Sequence, residues 1–196
     1  MGRITGKPLA QFSSETSQAI FVHRIVRYFA KALNFLPLFV DARGKRGKSE
    51  DYKEFRFASD EKNQITALLN STLFYWFWRS HCDGFHCGYN DVYSMPYKQV
   101  TDSSCRQSLE KLLVELMRDL QKKSQKREIT TKAGQIRYQE FYPSESKPIL
   151  DEIDRVLAQH YGFTAEELDF IINYDIKYRM GLGGEEPEDL LQSGSA

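Results

Sequence analysis

A chain of 196 residues with 27 basic and 27 acidic side chains has room for one domain of ordinary size, and its 41% hydrophobic content, with 13 Phe, 11 Tyr and 2 Trp, excludes a disordered tail. No apolar run approaches the roughly 20 residues that span a bilayer, and the start lacks a secretory signal, so a cytoplasmic protein with no membrane partner is expected. Three cysteines, an odd number, fit a reduced compartment better than a disulfide framework.

The balanced total hides an asymmetry. Residues 1–144 carry 23 Lys and Arg against 15 Asp and Glu, whereas residues 145–196 carry 4 against 12. A positive body with an acidic end suits a module that meets phosphates with one face and keeps its tail away from them, because like charges repel over roughly 8 to 10 Å. Ordinary surface charge is the alternative reading.

Residues 1–18 read as a polar lead-in. Ala19 to Arg27 mixes β-branched and aromatic residues with charges, Asn34 to Val40 does so again, and Tyr52 to Phe57 alternates as a half-buried strand does. These segments predict antiparallel strands, the last two joined by a long hairpin loop, while Tyr28 to Leu33 fits a helical turn equally well. The loop, Asp41-Ala-Arg-Gly-Lys-Arg-Gly-Lys-Ser-Glu50, sets Arg43, Lys45, Arg46 and Lys48 between glycines. Such a backbone can follow a curved polyanion while long side chains reach phosphates or guanine edges. A merely soluble hairpin tip has the same composition.

Asp60 is placed to cap a helix whose stripe Ile65, Leu68, Leu69, Thr72, Leu73 and Trp76 keeps helical spacing. Its last turns, Phe74-Tyr-Trp-Phe-Trp78, are apolar on every side, as in a helix buried all round or one with an aromatic face docked on another domain. His81, Cys82, His86 and Cys87 are zinc-ligand types, but adjacent His-Cys pairs lack the dozen or so residues that usually separate ligand pairs, so no metal site is expected. From about Ser104 to Lys126 a long amphipathic helix buries Leu109, Leu112, Leu113, Leu116 and Leu120. Arg118, Lys122, Lys123, Lys126 and Arg127 crowd its C-terminal end, where the helix dipole favours each cation by about 0.3 to 1 kcal/mol. Glu128 to Thr131 and Gln135 to Tyr142 read as a hairpin around Ala133-Gly134.

Two helices close the domain. Ser146 is placed to cap the first, with Pro148 in its first turn and Gly162 at the left-handed stop; Thr164 and Glu167 form a capping box on the second, with Leu168, Ile171 and Ile172 inward. Asp151, Glu152 and Asp154 fall on consecutive turns as a solvated face, not a nuclease metal site, and no local nucleophile motif appears, so no catalytic residue is expected. Residues 182–196 read as a flexible acidic tail. The elements predict an α+β fold, with small antiparallel sheets packed on about four helices and two short helices at the end.

The run from Lys147 to Gly181, KPILDEIDRVLAQHYGFTAEELDFIINYDIKYRMG, resembles the end of the adenine-specific DNA methyltransferases of type II restriction-modification systems. Ala67 to Tyr97, ALLNSTLFYWFWRSHCDGFHCGYNDVYSMPY, is similar to a helix and following strand in the TaqI-like C-terminal specificity domain of those proteins. The two segments cover about a third of the chain, in the family's order. The resemblance implies a target recognition domain over residues 19–181 that binds double-stranded DNA and reads bases while a catalytic domain flips and methylates an adenine. It makes Arg43, Lys45, Arg46 and Lys48 the first choice for DNA contact, with Lys122, Lys123, Lys126 and Arg127 as a second group. Ser80-His-Cys-Asp-Gly-Phe-His86 resembles the family's helix-to-strand turn S-x-x-D-G-x-H, with His86 near the DNA side, contacting a phosphate or base or capping the turn.

Two family motifs have no counterpart. The chain contains no Pro-Pro pair, hence no Asn-Pro-Pro-Tyr or Asp-Pro-Pro-Tyr tetrapeptide, and its glycine cluster Gly181-Leu-Gly-Gly184 follows the last helix instead of joining a strand to a helix. The resemblance therefore implies a recognition domain cut from, or expressed apart from, a larger adenine methyltransferase or combined restriction enzyme, partnered by the methyltransferase catalytic domain of that parent, which would hold S-adenosylmethionine; no cofactor is expected here. The competing expectation is a protein-interaction domain that uses the aromatic helix and the acidic C-terminal helices.

Overall fold

Period-two and helical segments alternate along the chain, and the computed structural model, which describes residues 4–182, assembles them into three small antiparallel sheets around a helical core. Strand β1 (Lys7–Pro8) runs into a single 3-10 turn, Leu9–Phe12. Strands β2 (Ala19–His23) and β3 (Ala32–Leu33) follow, then β4 (Phe39–Val40) and β5 (Tyr52–Arg56) on either side of the basic loop. Helices α1 (Lys62–Asn70), α2 (Thr72–His81) and α3 (Tyr89–Ser94) lead to β6 (Pro96–Tyr97) and the long α4 (Ser103–Lys123). A ribbon of β7 (Gln125–Thr131) and β8 (Gly134–Glu140) precedes α5 (Lys147–Tyr161), α6 (Ala165–Asn173) and α7 (Ile176–Arg179). The fold is α+β, as expected, with more helical segments than the four read from periodicity.

The break between α1 and α2 has one local cause and two distant ones. The expected continuous aromatic helix breaks at Ser71, whose backbone turns extended and whose hydroxyl accepts the Phe74 N–H at 3.1 Å, so that Ser71 caps a second helix. Asn70, just before it, is buried and exchanges bonds with the Ala32 backbone at 2.7 and 3.1 Å, which ties α1 to β3. The remaining bare N–H groups at the start of α2, those of Thr72 and Leu73, are each taken at 3.1 Å by the Asp154 carboxylate from α5. Asp154 is therefore a buried cap on another helix and not part of a solvated face; Asp151 pairs with Lys147 and Glu152 with Arg155.

Other caps also differ from expectation. Asp60 does not cap α1; Glu61 holds that position, and its carboxylate is drawn inward by the Tyr97 hydroxyl, Gln99 and Arg106. Ser146 gives its hydroxyl to Asp119 instead of to the start of α5. Gly162, at φ 77°, and the Thr164–Glu167 capping box stand as read.

The core lies where α1, α2, α4 and α5 meet. Phe74, Tyr75, Phe77 and Trp78 are buried there and Trp76 is half-buried, so the aromatic run is packing and not a docking face. Removing one such side chain from water contributes about 1.5 to 3 kcal/mol. Leu109, Leu113, Leu116 and Leu120 of α4 are buried as expected, with Leu112 at the margin. Residues 4–18 are not a detached lead-in: Lys7 and Pro8 pair with Tyr97 and Pro96, and Leu9 is fully buried.

Strand partners depart most from the sequence reading. β5 pairs with β2, from Ala19 opposite Arg56 to His23 opposite Tyr52, in a sheet of order β3-β2-β5. β4 instead joins a sheet of order β4-β8-β7, with Phe39 opposite Tyr138 and Val40 opposite Arg137. The basic segment therefore crosses between two sheets and is no hairpin loop between β4 and β5. Alternation reports that a segment is a strand but carries no information about a partner about a hundred residues away. The tail residues 183–196 lie outside the described residues. Among those described, no helix is long and apolar enough to cross a membrane.

Candidate nucleic-acid interface

The basic loop is stiffened from within. Asp41 accepts the Arg43 and Lys45 N–H groups at 2.9 and 2.8 Å, its own N–H reaches the Lys45 carbonyl at 3.0 Å, and Gly44 takes the left-handed conformation at φ 78°. The chain then returns along β4: Arg46 bridges Val40, and the Gly47 N–H donates to Phe39 at 3.1 Å. Arg43, Lys45, Arg46 and Lys48 are all exposed on this turn, and none enters an ion pair among the described residues. The one acidic side chain of the turn, Asp41, spends its carboxylate on backbone amides.

Strand register extends the positive surface beyond the loop. Residues directly opposite in an antiparallel pair share a face, and residues two apart on one strand share it too. Arg46 lies opposite Val40, Val40 opposite Arg137, and Arg137 opposite Glu128; Lys126, opposite Gln139, stands one rung along on the same face. The ribbon and the loop meet at a shallow recess of about 290 Å³ lined by Val40, Ala42, Gly44, Glu128, Gln135 and Arg137. Gly134, at φ 131°, closes the junction: a Cβ there would overlap the Ala42 carbonyl, so only glycine lets the ribbon tip seat on the loop.

The second expected cluster divides. α4 ends at Lys123, so Lys126 and Arg127 belong to β7, on opposite faces of the sheet. Lys123 is occupied internally, bound to Asp119 at 2.7 Å and to the Glu145 carbonyl at 2.6 Å. Arg127 is likewise held by Glu140 at 2.7 Å and by the Tyr142 hydroxyl at 2.8 Å. Lys122 and Lys126 remain exposed and enter no ion pair among the described residues.

His86 occupies a separate corner. Asp83 accepts the N–H groups of Phe85 and His86 at 2.8 and 2.7 Å and meets the His86 Nδ1 at 2.9 Å; those backbone donors hold the Asp83 carboxyl below its usual range. Trp78 Nε1 donates to the His86 carbonyl at 2.7 Å and the His86 backbone bridges Ile25, so this residue fixes the turn after α2. Burial first, and Asp91 second, push the neighbouring Cys82 and Cys87 thiols up to about 12, which makes both poor nucleophiles at neutral pH. Among the described residues no three His, Cys, Asp or Glu side chains converge as a metal set.

Two further titratable groups meet on the β3-β2-β5 sheet, where the His23 N–H donates to the Lys31 carbonyl at 2.9 Å. Burial, then the charge of Lys31, pushes His23 down to about 4, and burial pushes Lys31 down to about 8 against the opposing pull of Glu140. Neither residue stands out in the sequence, because their encounter depends on the β2-β3 pairing. Gln135 and Arg137 alternate with Ile136 and Tyr138 immediately after the Ala133-Gly134 turn, which marks them in the sequence as one strand face; only the pairing of Arg137 with Val40 and the shared recess bring them to the basic loop.

No family model, no curated protein and no solved structure matches this chain.

Proposed function

We propose that this chain is the sequence-specific DNA recognition module of a type II restriction-modification adenine methyltransferase, without catalysis of its own, whose S-adenosylmethionine would be held by a separate catalytic domain. One observation carries the DNA-binding part: four exposed cations outside any ion pair on an internally braced turn, continued on one sheet face by Arg137 and Lys126. A turn of this kind meets phosphates without the cost of freezing a loose loop, and each neutralised phosphate steepens the salt dependence of binding. The restriction-modification part rests on the resemblance of residues 67–97 and 147–181.

A second reading, a protein-interaction module, draws on a different surface. Phe170, Tyr178, Met180 and Leu182 are exposed at 47%, 57%, 38% and 73% near the chain's acidic end. In the first reading the same surface is where a catalytic partner would dock.

Electrophoretic retardation of duplex DNA at rising salt, with sizing of the free protein, separates the two. DNA recognition predicts retardation that weakens steeply with salt. A salt-insensitive dimer that retards no DNA would overturn it in favour of protein interaction.

A further inference from the structure

We infer that the β7–β8 ribbon is the base-reading element of this module, entering the major groove with Gln135 and Arg137 toward base edges while the loop cations hold the flanking phosphates. This inference rests on the DNA-recognition reading above and adds to it the division of labour between two adjacent elements. The ribbon has the right form. All seven residues of β7 are exposed, and β8 exposes Gln135 and Arg137 on the face that also carries Lys126, Glu128 and Thr130. A major groove about 12 Å wide admits a two-stranded ribbon, and β4 pairs with β8 only at Tyr138 and Arg137, so the two strands run without it from Ile136 to Gly134 and Arg137 stands at the boundary.

The chemistry of that face is suited to bases. Arginine can bond guanine O6 and N7 together, and glutamine can bond adenine N6 and N7, so both place two hydrogen bonds on one base. Arg137 and Glu128 face each other across a rung, yet no ion pair closes between them among the described residues, which leaves the guanidinium available. The other face of the ribbon lacks this freedom, because Arg127 is held by Glu140 and Tyr142 and Tyr138 lies against Phe39. The seat of Gly134 on Ala42 sets the reading face at a fixed offset from Arg43, Lys45 and Arg46, so that phosphate contacts by the loop would register the ribbon in the groove.

The experiment is selection from a random-sequence duplex library by the whole chain, followed by sequencing of the retained DNA. It is repeated with Gln135→Ala, Arg137→Ala and the double variant, and salt titrations run on pooled library DNA. Wild type should enrich a motif; the ribbon variants should lose about tenfold or more of the enrichment at one or two positions of it, while the salt slope changes by no more than about one phosphate contact. An unchanged motif in the double variant overturns the ribbon assignment and leaves DNA recognition standing; retention without any enriched motif overturns the ribbon assignment and sequence-specific recognition together, leaving only phosphate binding. No retention of duplex DNA by wild type at low salt overturns the underlying reading itself. Circular dichroism of each variant keeps a folding defect from being read as lost recognition.

Discussion

Charged side chains are treated in opposite ways in the two halves of this molecule. In the helical half Asp154 is 2% exposed, with both oxygens bound to the first amides of α2, and Arg179 is 4% exposed, bonded to the Tyr28 carbonyl and the Thr72 hydroxyl and set over the rings of Phe29 and Tyr75. On the β4-β8-β7 sheet and its loop, Arg43, Arg46, Arg137 and Lys126 stand exposed outside any ion pair among the described residues. Buried charges of the first kind must be fully bonded or they unfold the protein. Unpaired charges of the second kind add little to stability and remain free for a partner. On the proposed reading, stability and DNA recognition reside in different residues, and substitutions should separate them.

The largest effect belongs to the core. Trp78→Ala should cost about 3 to 5 kcal/mol in denaturant unfolding, enough to leave a substantial unfolded population. A loss below about 1 kcal/mol would mean that the aromatic helix is less central than its burial implies. Gly134→Ala should cost about 1 to 3 kcal/mol, through the left-side φ and the overlap with Ala42, and should loosen the ribbon tip in hydrogen exchange while α1 and α4 keep their protection.

The dependence of stability on pH sharpens the contrast further. Burial pushes Asp154 up to about 6, so between about pH 4 and 6 the folded chain keeps a proton that the unfolded chain has lost, and this group's contribution falls as pH rises. His23, pushed down to about 4, works the other way: the unfolded chain binds the extra proton, so its contribution rises from about pH 4 to 6.5. The two slopes oppose each other in the intact protein. Denaturant midpoints across pH 4 to 7 should climb with pH in Asp154→Asn and decline in His23→Gln. Parallel profiles in the two variants would contradict the assignment of both groups.

The smallest expected stability change belongs to the proposed DNA-contacting loop. Changing Arg43, Lys45, Arg46 and Lys48 together to Ala should move unfolding by no more than about 0.5 kcal/mol per site. A larger loss would show that the turn is structural and not reserved for a ligand.

Legibility in the sequence follows the range of the interactions. The capping box at Thr164, the stop at Gly162, the α4 stripe and the Ala133-Gly134 hairpin depend on residues a few positions apart, and each was read correctly. The break at Ser71 was missed because its reason includes Asp154, 82 residues from Thr72. The sheet partner of β4 was missed for the same cause, and with it the encounter of the loop with Arg137. Loop cations were visible as composition; that Lys123 and Arg127 are already bonded, and Lys126 is not, depends on neighbours that only folding supplies.

The most direct test of the central claim is the slope of log affinity for duplex DNA against log salt, compared between wild type and the fourfold loop variant. If all four cations meet phosphates, the variant's slope should be shallower by about 3.6. Equal slopes would remove the loop from the interface and contradict the account.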